Sequence, residues 1–468
     1  SSLEYSLMAA RLMTMISGFG ILLVIRETVI RVRRRVQPQW TAKAIVLCVA
    51  SFGFAIFLSI ATAVATTTLT GLLLGSFVTP LLVTLSVLIA RPFSRWYYQE
   101  TIRKAHEKMK TMHPIVIGIT GSYGKTSTKE FLVAMLERKY NVLATPKNIN
   151  ADIGIAKVVL ERLQPEHEVF IVEMGAYRIG EIRSSCDIVH PTIGVLTGIN
   201  HQHESLFGNF DRLQSAKAEL FEALPINGCA VVNADNPWCR DAIRKTHART
   251  IRSYAVSNPA DVTAGDIHVE RDRLTWNLHC DHKETNVHAP LAGLQHIPCI
   301  LAAATVAFYC GLSIVDIRSA IAKLTPLPGT MELRKGLNGV TIIDDHYNSN
   351  PDGFIAALEY LRTYTNKRKI VITRGMYELG AESEHEHRRV GNVMGSVADL
   401  VIITKDDFAK PIVDSLKQAG LHEQQIIVEI RPSALRKFLM STITERDVLL
   451  MEGRLQPVVF QIFFPYVS

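Results

Sequence analysis

At 468 residues the chain exceeds what one ordinary hydrophobic core organises, so two or three domains are expected and a small stapled scaffold is excluded. Seven scattered cysteines (Cys48, Cys186, Cys229, Cys239, Cys280, Cys299, Cys310) form no CxxC pair, which argues against a disulfide framework or a zinc ribbon and fits a reducing compartment. The net charge of +7 is uneven: residues 1–110 hold 13 Lys+Arg against 4 Asp+Glu and the remainder 38 against 40, so the later chain lacks the basic footprint of a nucleic-acid binder.

Between Lys43 and Arg91 lie 47 residues without a charge, whereas one helix needs about 20 apolar residues to cross the hydrocarbon core. Two crossings are expected, near 44–63 and 69–90, with Thr67, Thr68, Thr70 and Gly71 near the turn. Arg31, Arg33, Arg34, Arg35 and Lys43 precede the pair and Arg91, Arg95, Arg103 and Lys104 follow it, which places both ends in the cytoplasm. The stretch from Tyr5 to Ile25 reads evenly as a third crossing or none. Residues 96–112 (WYYQETIRKAHEKMKTM) read equally as an interfacial helix or a solvated linker. A membrane region over 1–95 and a linker over 96–112 are therefore expected.

At His113 the texture changes: PIVIGIT is a short β-branched run, GSYGKTST a glycine-punctuated turn, and KEFLVAMLERKY has helical periodicity. Strand, loop and helix in that order make a phosphate loop. Backbone N–H groups of Gly121, Ser122, Tyr123, Gly124 and Ser127 would cradle phosphates, Lys125 would neutralise them, and the Thr126 hydroxyl would hold Mg²⁺. The spacing, Gly121-x-x-Gly124-Lys125-Thr126, is shorter than the usual form. VFIVEM is a buried strand whose end, Glu173, is placed for a metal ligand or a water-orienting group. Asn148 and Asn150 suit either contacts to the transferred phosphate or substrate, or plain turns.

These segments, with TPKNINADIG (145–154), VEMGAYRIGEI (172–182), PTIGVLTGINHQHESLFG (191–208), AKAEL (216–220), VVNADN (231–236), IIDDHYNSNP (342–351) and GMYELG (375–380), resemble the Mur ligases in the family's own order. The likeness covers roughly residues 113–455 and is closest to the MurF type. It implies ATP and Mg²⁺ as cofactors and formation of an amide bond on a peptide-bearing cell-wall precursor, with an amino acid or dipeptide as the amine. It also implies that His203 contacts metal, with His201 a bystander, and that Lys217 is carried as a carbamate that ligates Mg²⁺. Asp345, Tyr347, Asn348 and Asn350 would face the nucleotide from the C-terminal domain.

Strand–helix alternation predicts an α/β fold: a central ATP-binding domain with a mostly parallel sheet over 113–325, interrupted by a β segment near 250–290, and a Rossmann-like C-terminal domain over 326–468. The C-terminal strands are expected at 340–344, 369–373, 399–404, 425–429 and 447–451. Several positions depart from the family: Gly293, Leu294, Gln295, His296 and Cys299 on the adenine side; Gly329-Thr330 in place of glycine-arginine, with Arg334 as a stand-in; Arg374 and Gly375; and MEGR at 451–454. The helices expected in place of the family's UDP-binding domain would put the protein at a bacterial inner membrane, with its catalytic domains cytoplasmic and a membrane lipid among its partners. The alternatives are a ligase acting on a lipid-linked or poly-amino-acid chain, or a tethered nucleotide-binding regulator without ligase activity. Oligomeric state is left open.

Overall fold

The computed structural model describes residues 68–463 apart from 203, 406, 429 and 430. The chain divides after Thr101. One helix, Thr68–Thr111, runs unbroken for 44 residues. Among the described residues no helix is long and apolar enough to cross a membrane. This corrects the expected transmembrane part of the fold class, and the inner-membrane placement falls with it. The expectation used absence of charge as its criterion, yet the helix holding the second expected crossing continues past that run, and its described side chains from Leu88 on include Arg91, Arg95, Glu100, Arg103 and Lys104. The first expected crossing, 44–63, and the stretch from Tyr5 to Ile25 lie outside the described residues. The stretch read as a linker is helical to Thr111, and Ala105 and Met109 are buried in a core with Val116, Ile155 and Ile182.

Residues 113–325 build one nine-stranded sheet. Its strands are β1 (Ile115–Thr120), β2 (Val142–Ala144), β3 (Val169–Glu173), β4 (Ile193–Leu196), β5 (Cys229–Asn233), β6 (Thr250–Ala255), β7 (Val262–Val269), β8 (Leu274–Cys280) and β9 (Lys283–Ala289), in the order β2-β3-β1-β4-β5-β6-β7-β8-β9. Strands β2 to β7 pair in parallel, and β7-β8-β9 close as an antiparallel meander. The expected β interruption is thus an extension of the same sheet. Parallel strands covered on both faces must be apolar throughout, and alternate residues of β1 and β3 show where each face goes. Ile117, Ile119, Val169 and Ile171 pack under the helices Lys125–Leu136 and His296–Tyr309. Val116, Phe170 and Val172 pack under the helices Asp152–Arg162, Glu181–Val189 and Phe210–Glu222.

The second sheet contains β10 (Glu332–Lys335), β11 (Thr341–Asp345), β12 (Arg368–Thr373), β13 (Leu400–Ile403), β14 (Ile426–Val428) and β15 (Asp447–Glu452), ordered β10-β11-β15-β12-β13-β14. All pairs are parallel except the edge strand β10, which runs antiparallel to β11. In both sheets the C-terminal strand ends are where an open α/β sheet leaves a crevice for ligands.

Candidate active site

The turn Gly121–Gly124 leaves β1 and enters the helix Lys125–Leu136. Gly121 (φ 152°) and Gly124 (φ 75°) adopt left-handed backbone, and a Cβ at Gly121 would stand 2.1 Å from Thr197 Oγ1. Ser122 N–H donates to the Gly198 carbonyl at 2.7 Å, and Thr197 Oγ1 donates to the Tyr123 carbonyl at 2.5 Å, so the loop is tied to the exit of β4. The N-terminus of the following helix opens on a cavity of about 790 Å³, the setting in which unpaired backbone N–H groups bind phosphate. Lys125 Nζ folds back on the loop, donating to the carbonyls of Gly121 at 2.6 Å and Ser122 at 3.3 Å. Burial lowers the pKa of Lys125, opposed by the charge of Glu173.

Glu173 ends β3 and is buried. Thr126 Oγ1 donates to both of its carboxylate oxygens at 3.1 Å, and Asn150 Nδ2 approaches Oε1 at 3.5 Å. The wholly buried Lys129 sits 3.3 Å from Glu173 Oε2 and donates to the Thr145 carbonyl at 2.8 Å. Thr126 and Glu173 supply hard oxygen donors of the kind Mg²⁺ takes beside nucleotide phosphates, so the residues present fit that ion. Lys217 lies on the helix Phe210–Glu222, 2% exposed, with Nζ 6.0 Å from the Phe207 ring centre. Burial first, and then the charge of Lys125, push its pKa down to about 7 against the pull of Glu219. His203 is outside the described residues, while His201 pairs with Glu204 at 2.7 Å and packs on Phe210.

The C-terminal sheet supplies the facing wall. Asp345, at the end of β11, lines the cavity with Tyr347, Asn348, Asn350 and Glu452. The Tyr347 hydroxyl donates to Asn148 Oδ1 at 2.7 Å, and Lys147 Nζ lies 4.3 Å from the Tyr347 ring centre. Asn350 caps the helix Pro351–Arg362 by accepting from Gly353 N–H at 3.1 Å, and its Oδ1 also faces Asn200 Nδ2 at 3.4 Å. Away from the phosphate loop the cavity turns apolar, walled by Val256, Ile267, Val269, Leu294 and Leu327. There Gln295 has no partner for either amide atom, His296 is buried and held neutral with a pKa near 4, and Cys299 Sγ lies 3.7 Å from the Gly124 carbonyl. Arg334 pairs with the buried Asp344 at 3.3 Å and is not among the residues lining the cavity.

Residues 119–307 match the family model for the Mur ligase middle domain, and residues 330–455 match that for the Mur ligase, glutamate ligase domain. A Mycobacterium leprae (strain TN) protein named UDP-N-acetylmuramoyl-tripeptide--D-alanyl-D-alanine ligase is 30% identical over 365 residues, covering 72% of this chain and 70% of that protein. The chain belongs to the Mur ligase family. The protein of the same name from Mycobacterium tuberculosis (strain ATCC 25618 / H37Rv) is 34% identical over 297 residues, covering 62% of this chain and 58% of its own length. The chain therefore spans under two thirds of that Mur ligase. The crystal structure of MurF ligase from Thermotoga maritima in complex with ADP is 26% identical, with a TM-score of 0.69 over 78% of this chain and 83% of the other.

Sequence reasoning had named most of the residues at this Mur ligase cleft but missed Lys129, Asn200 and Gln202. Lys129 carries a readable signal, because it stands one helical turn after Lys125 and shares its face with the buried Leu132 and Leu136. Asn200 and Gln202 flank His201 with no periodicity to mark them.

Proposed function

We propose that this chain is an ATP-dependent, ADP-forming amide ligase of peptidoglycan precursor synthesis, joining D-alanyl-D-alanine to a UDP-N-acetylmuramoyl-tripeptide. The observation that carries this reading is that the phosphate loop of one sheet and Asp345, Tyr347 and Asn350 of the other line one cavity, with Glu173 held against the loop by Thr126. The names of the relatives support the substrates, and the ADP complex of the Thermotoga maritima structure supports the nucleotide.

In this reading the γ-phosphoryl group passes to the peptide carboxylate, giving an acyl phosphate and ADP. The amine then attacks the acyl carbon, the C–N bond forms and phosphate leaves. Chemistry of this type needs positioning and charge neutralisation more than a protein nucleophile. The loop N–H groups from Gly121 to Ser127 hold the phosphates, and Lys125 turns from the loop carbonyls toward them. Thr126, Glu173 and a carbamylated Lys217, with His203 on the strength of the family likeness, would hold Mg²⁺, which supplies charge stabilisation on the phosphoryl oxygens. The Lys217 amine near neutrality suits reaction with CO₂, because only the unprotonated amine forms a carbamate. Asn150 orients the carboxylate side of the site, and Tyr347 and Asn350 close the cleft over the nucleotide.

The test is phosphate release by the purified full-length chain with ATP and Mg²⁺, adding the muramoyl-tripeptide and the dipeptide separately and together. Release that needs both, with the amide recovered as product, is the expected result. ATP binding with no release under any pairing would overturn the reading.

A further inference from the structure

The loop Arg374–Gly380 leaves β12 and leads to the helix Ser383–Val397. Gly375 (φ 81°), Glu378 (φ 67°) and Gly380 (φ 58°) all adopt left-handed backbone, which is costly for Glu378, so the loop needs support from outside itself. His387, fully buried on the following helix, gives that support. Its ring stacks on Phe408 with centres 4.7 Å apart and 11° between planes, and Phe408 meets Tyr377 edge-on at 5.2 Å. A Cβ at Gly375 would stand 3.1 Å from His387 Nε2, so glycine lets the loop lie directly on the imidazole.

Both ring nitrogens are engaged, and their partners fix the proton. Nδ1 lies 2.6 Å from the Ser383 carbonyl, which only accepts, so Nδ1 carries the hydrogen. Nε2 lies 2.9 Å from the Met376 backbone N–H, which only donates, so Nε2 is bare. Only a neutral imidazole makes both bonds, whereas an imidazolium would set N–H against N–H. Burial lowers the pKa of His387, opposed by the Ser383 carbonyl and the charge of Glu386, so the neutral form is resident at neutral pH. Charged groups on the surrounding elements pair among themselves: Glu386 and Asp352 with Arg389, Glu384 and Asp414 with Arg388, Asp414 with Lys410, and Lys405 with Asp407. Arg374 lies over the Tyr377 ring at 4.9 Å, and Glu378, Glu382 and His385 stand on the same loop and helix start.

The far end of the loop reaches the other sheet's domain. A Cβ at Gly380 would stand 3.3 Å from Ser205 N and 3.6 Å from Glu204 Cβ, so this end lies on the short helix Glu204–Phe207. Glu204 pairs with His201 at 2.7 Å, and the Phe207 ring centre lies 6.0 Å from Lys217 Nζ. We infer that His387 is a positioning residue: its neutral imidazole holds Arg374–Gly380 so that Gly380 seats on Glu204–Ser205 and fixes the segment between His201 and Lys217. The catalytic consequence rests on the ligase reading, while the hold on the loop does not.

The experiment is hydrogen exchange of the full-length chain with ADP and Mg²⁺, read by mass spectrometry over residues 374–380, alongside substrate-dependent phosphate release. His387→Phe keeps the stack on Phe408 and deletes the acceptor; His387→Gln keeps an acceptor that does not titrate. At neutral pH the Phe variant should lose about tenfold in loop protection and in turnover, with ADP affinity unchanged, and the Gln variant should stay near the parent in both. As pH falls below the ordinary histidine value of 6.5, the parent should lose loop protection and His387→Gln should keep it. Titration of His201 is common to both chains and cancels in that comparison. Parental protection in the Phe variant, or equal loss in parent and Gln variant on acidification, overturns the inference. If a thermal melt shows the Phe variant unfolded, the acid comparison decides alone. Lost protection with full turnover would end the positioning role and leave the ligase reading intact. Lost protection in a chain that yields no amide under any substrate pairing would sink the ligase reading and keep the hold on the loop.

Discussion

Glu173 is engaged twice, by the Thr126 hydroxyl in the proposed metal site and by the buried Lys129, and the two roles separate experimentally. In Glu173→Gln the carboxamide keeps the volume but loses the charge, so Lys129, fully buried, loses its closest buried anion at 3.3 Å. Removing one partner of a buried ion pair costs about 3–5 kcal/mol. Lys129 retains the Thr145 carbonyl at 2.8 Å and the half-exposed Glu130 at 3.2 Å, which puts the expected loss near the lower end. For a domain of this size about 3 kcal/mol lowers the melting temperature by roughly 6–12 °C. The double variant Glu173→Gln, Lys129→Met removes the stranded cation and should recover most of that loss in a thermal melt. It should not recover phosphate release, because Thr126 would still face a neutral amide where the metal needs an anionic oxygen. Recovery of turnover in the double variant would show that Glu173 acts only through packing, and a single variant that melts and turns over normally would refute both roles.

Lys125→Ala should lower substrate-dependent ADP formation on the order of 10²–10³-fold or more, the scale of losing one preorganised charge-stabilising donor, and near-normal turnover would remove the phosphate loop from the mechanism. Lys217 should retain label from isotope-labelled bicarbonate in mass spectra recorded under non-acidic conditions, and Lys217→Ala should lose both label and activity; a fully active enzyme with an unlabelled lysine would exclude the carbamate. Burial raises the Asp345 carboxyl to about 7, and burial beside Asp345 holds Glu452 well above the usual carboxylate range. An acid raised on folding contributes stability that is full below its ordinary pKa of 3.8 and is lost as pH rises through about 7. Glu452→Gln removes one member of the pair, so melts taken on either side of that pH should fall less steeply than in the parent; an unchanged slope would show that the pair shares no proton.

The α/β architecture was legible because its signals are local. Strands buried on both faces read as unbroken apolar runs, such as IVIGIT and VFIVE, and the five expected C-terminal strands fall within a residue or two of β11, β12, β13, β14 and β15. The edge strand β10 was missed because Glu332–Lys335 is short, charged and half exposed, as an edge tends to be. The helix Thr68–Thr111 was misjudged for another reason: lack of charge over one stretch of sequence says nothing about where a helix stops. At the site, the phosphate loop could be read because glycine spacing and a strand–helix frame leave a pattern in the chain. The Tyr347–Asn148 bond could not, since its partners lie 199 residues apart and meet only when the two sheets face each other.

That distance bears on how the chemistry is organised. Lys125, Thr126 and Glu173 lie at the strand ends of one sheet, while Asp345 and Glu452 end β11 and β15 of the other. The polar pairs at the cavity are Tyr347 to Asn148, Asn200 to Asn350, and Gln202 to Ser349 at 3.5 Å, and beyond it Tyr360 donates to the Arg271 carbonyl and Ala292 packs into the C-terminal core. Polar contacts contribute about 1 kcal/mol each, so the pairs at the cavity bias closure once a ligand bridges them. An acyl phosphate is hydrolysed if water reaches it before the amine does. In the proposed reaction, carrying the nucleotide groups and the facing wall on separate sheets would let closure exclude water from the intermediate.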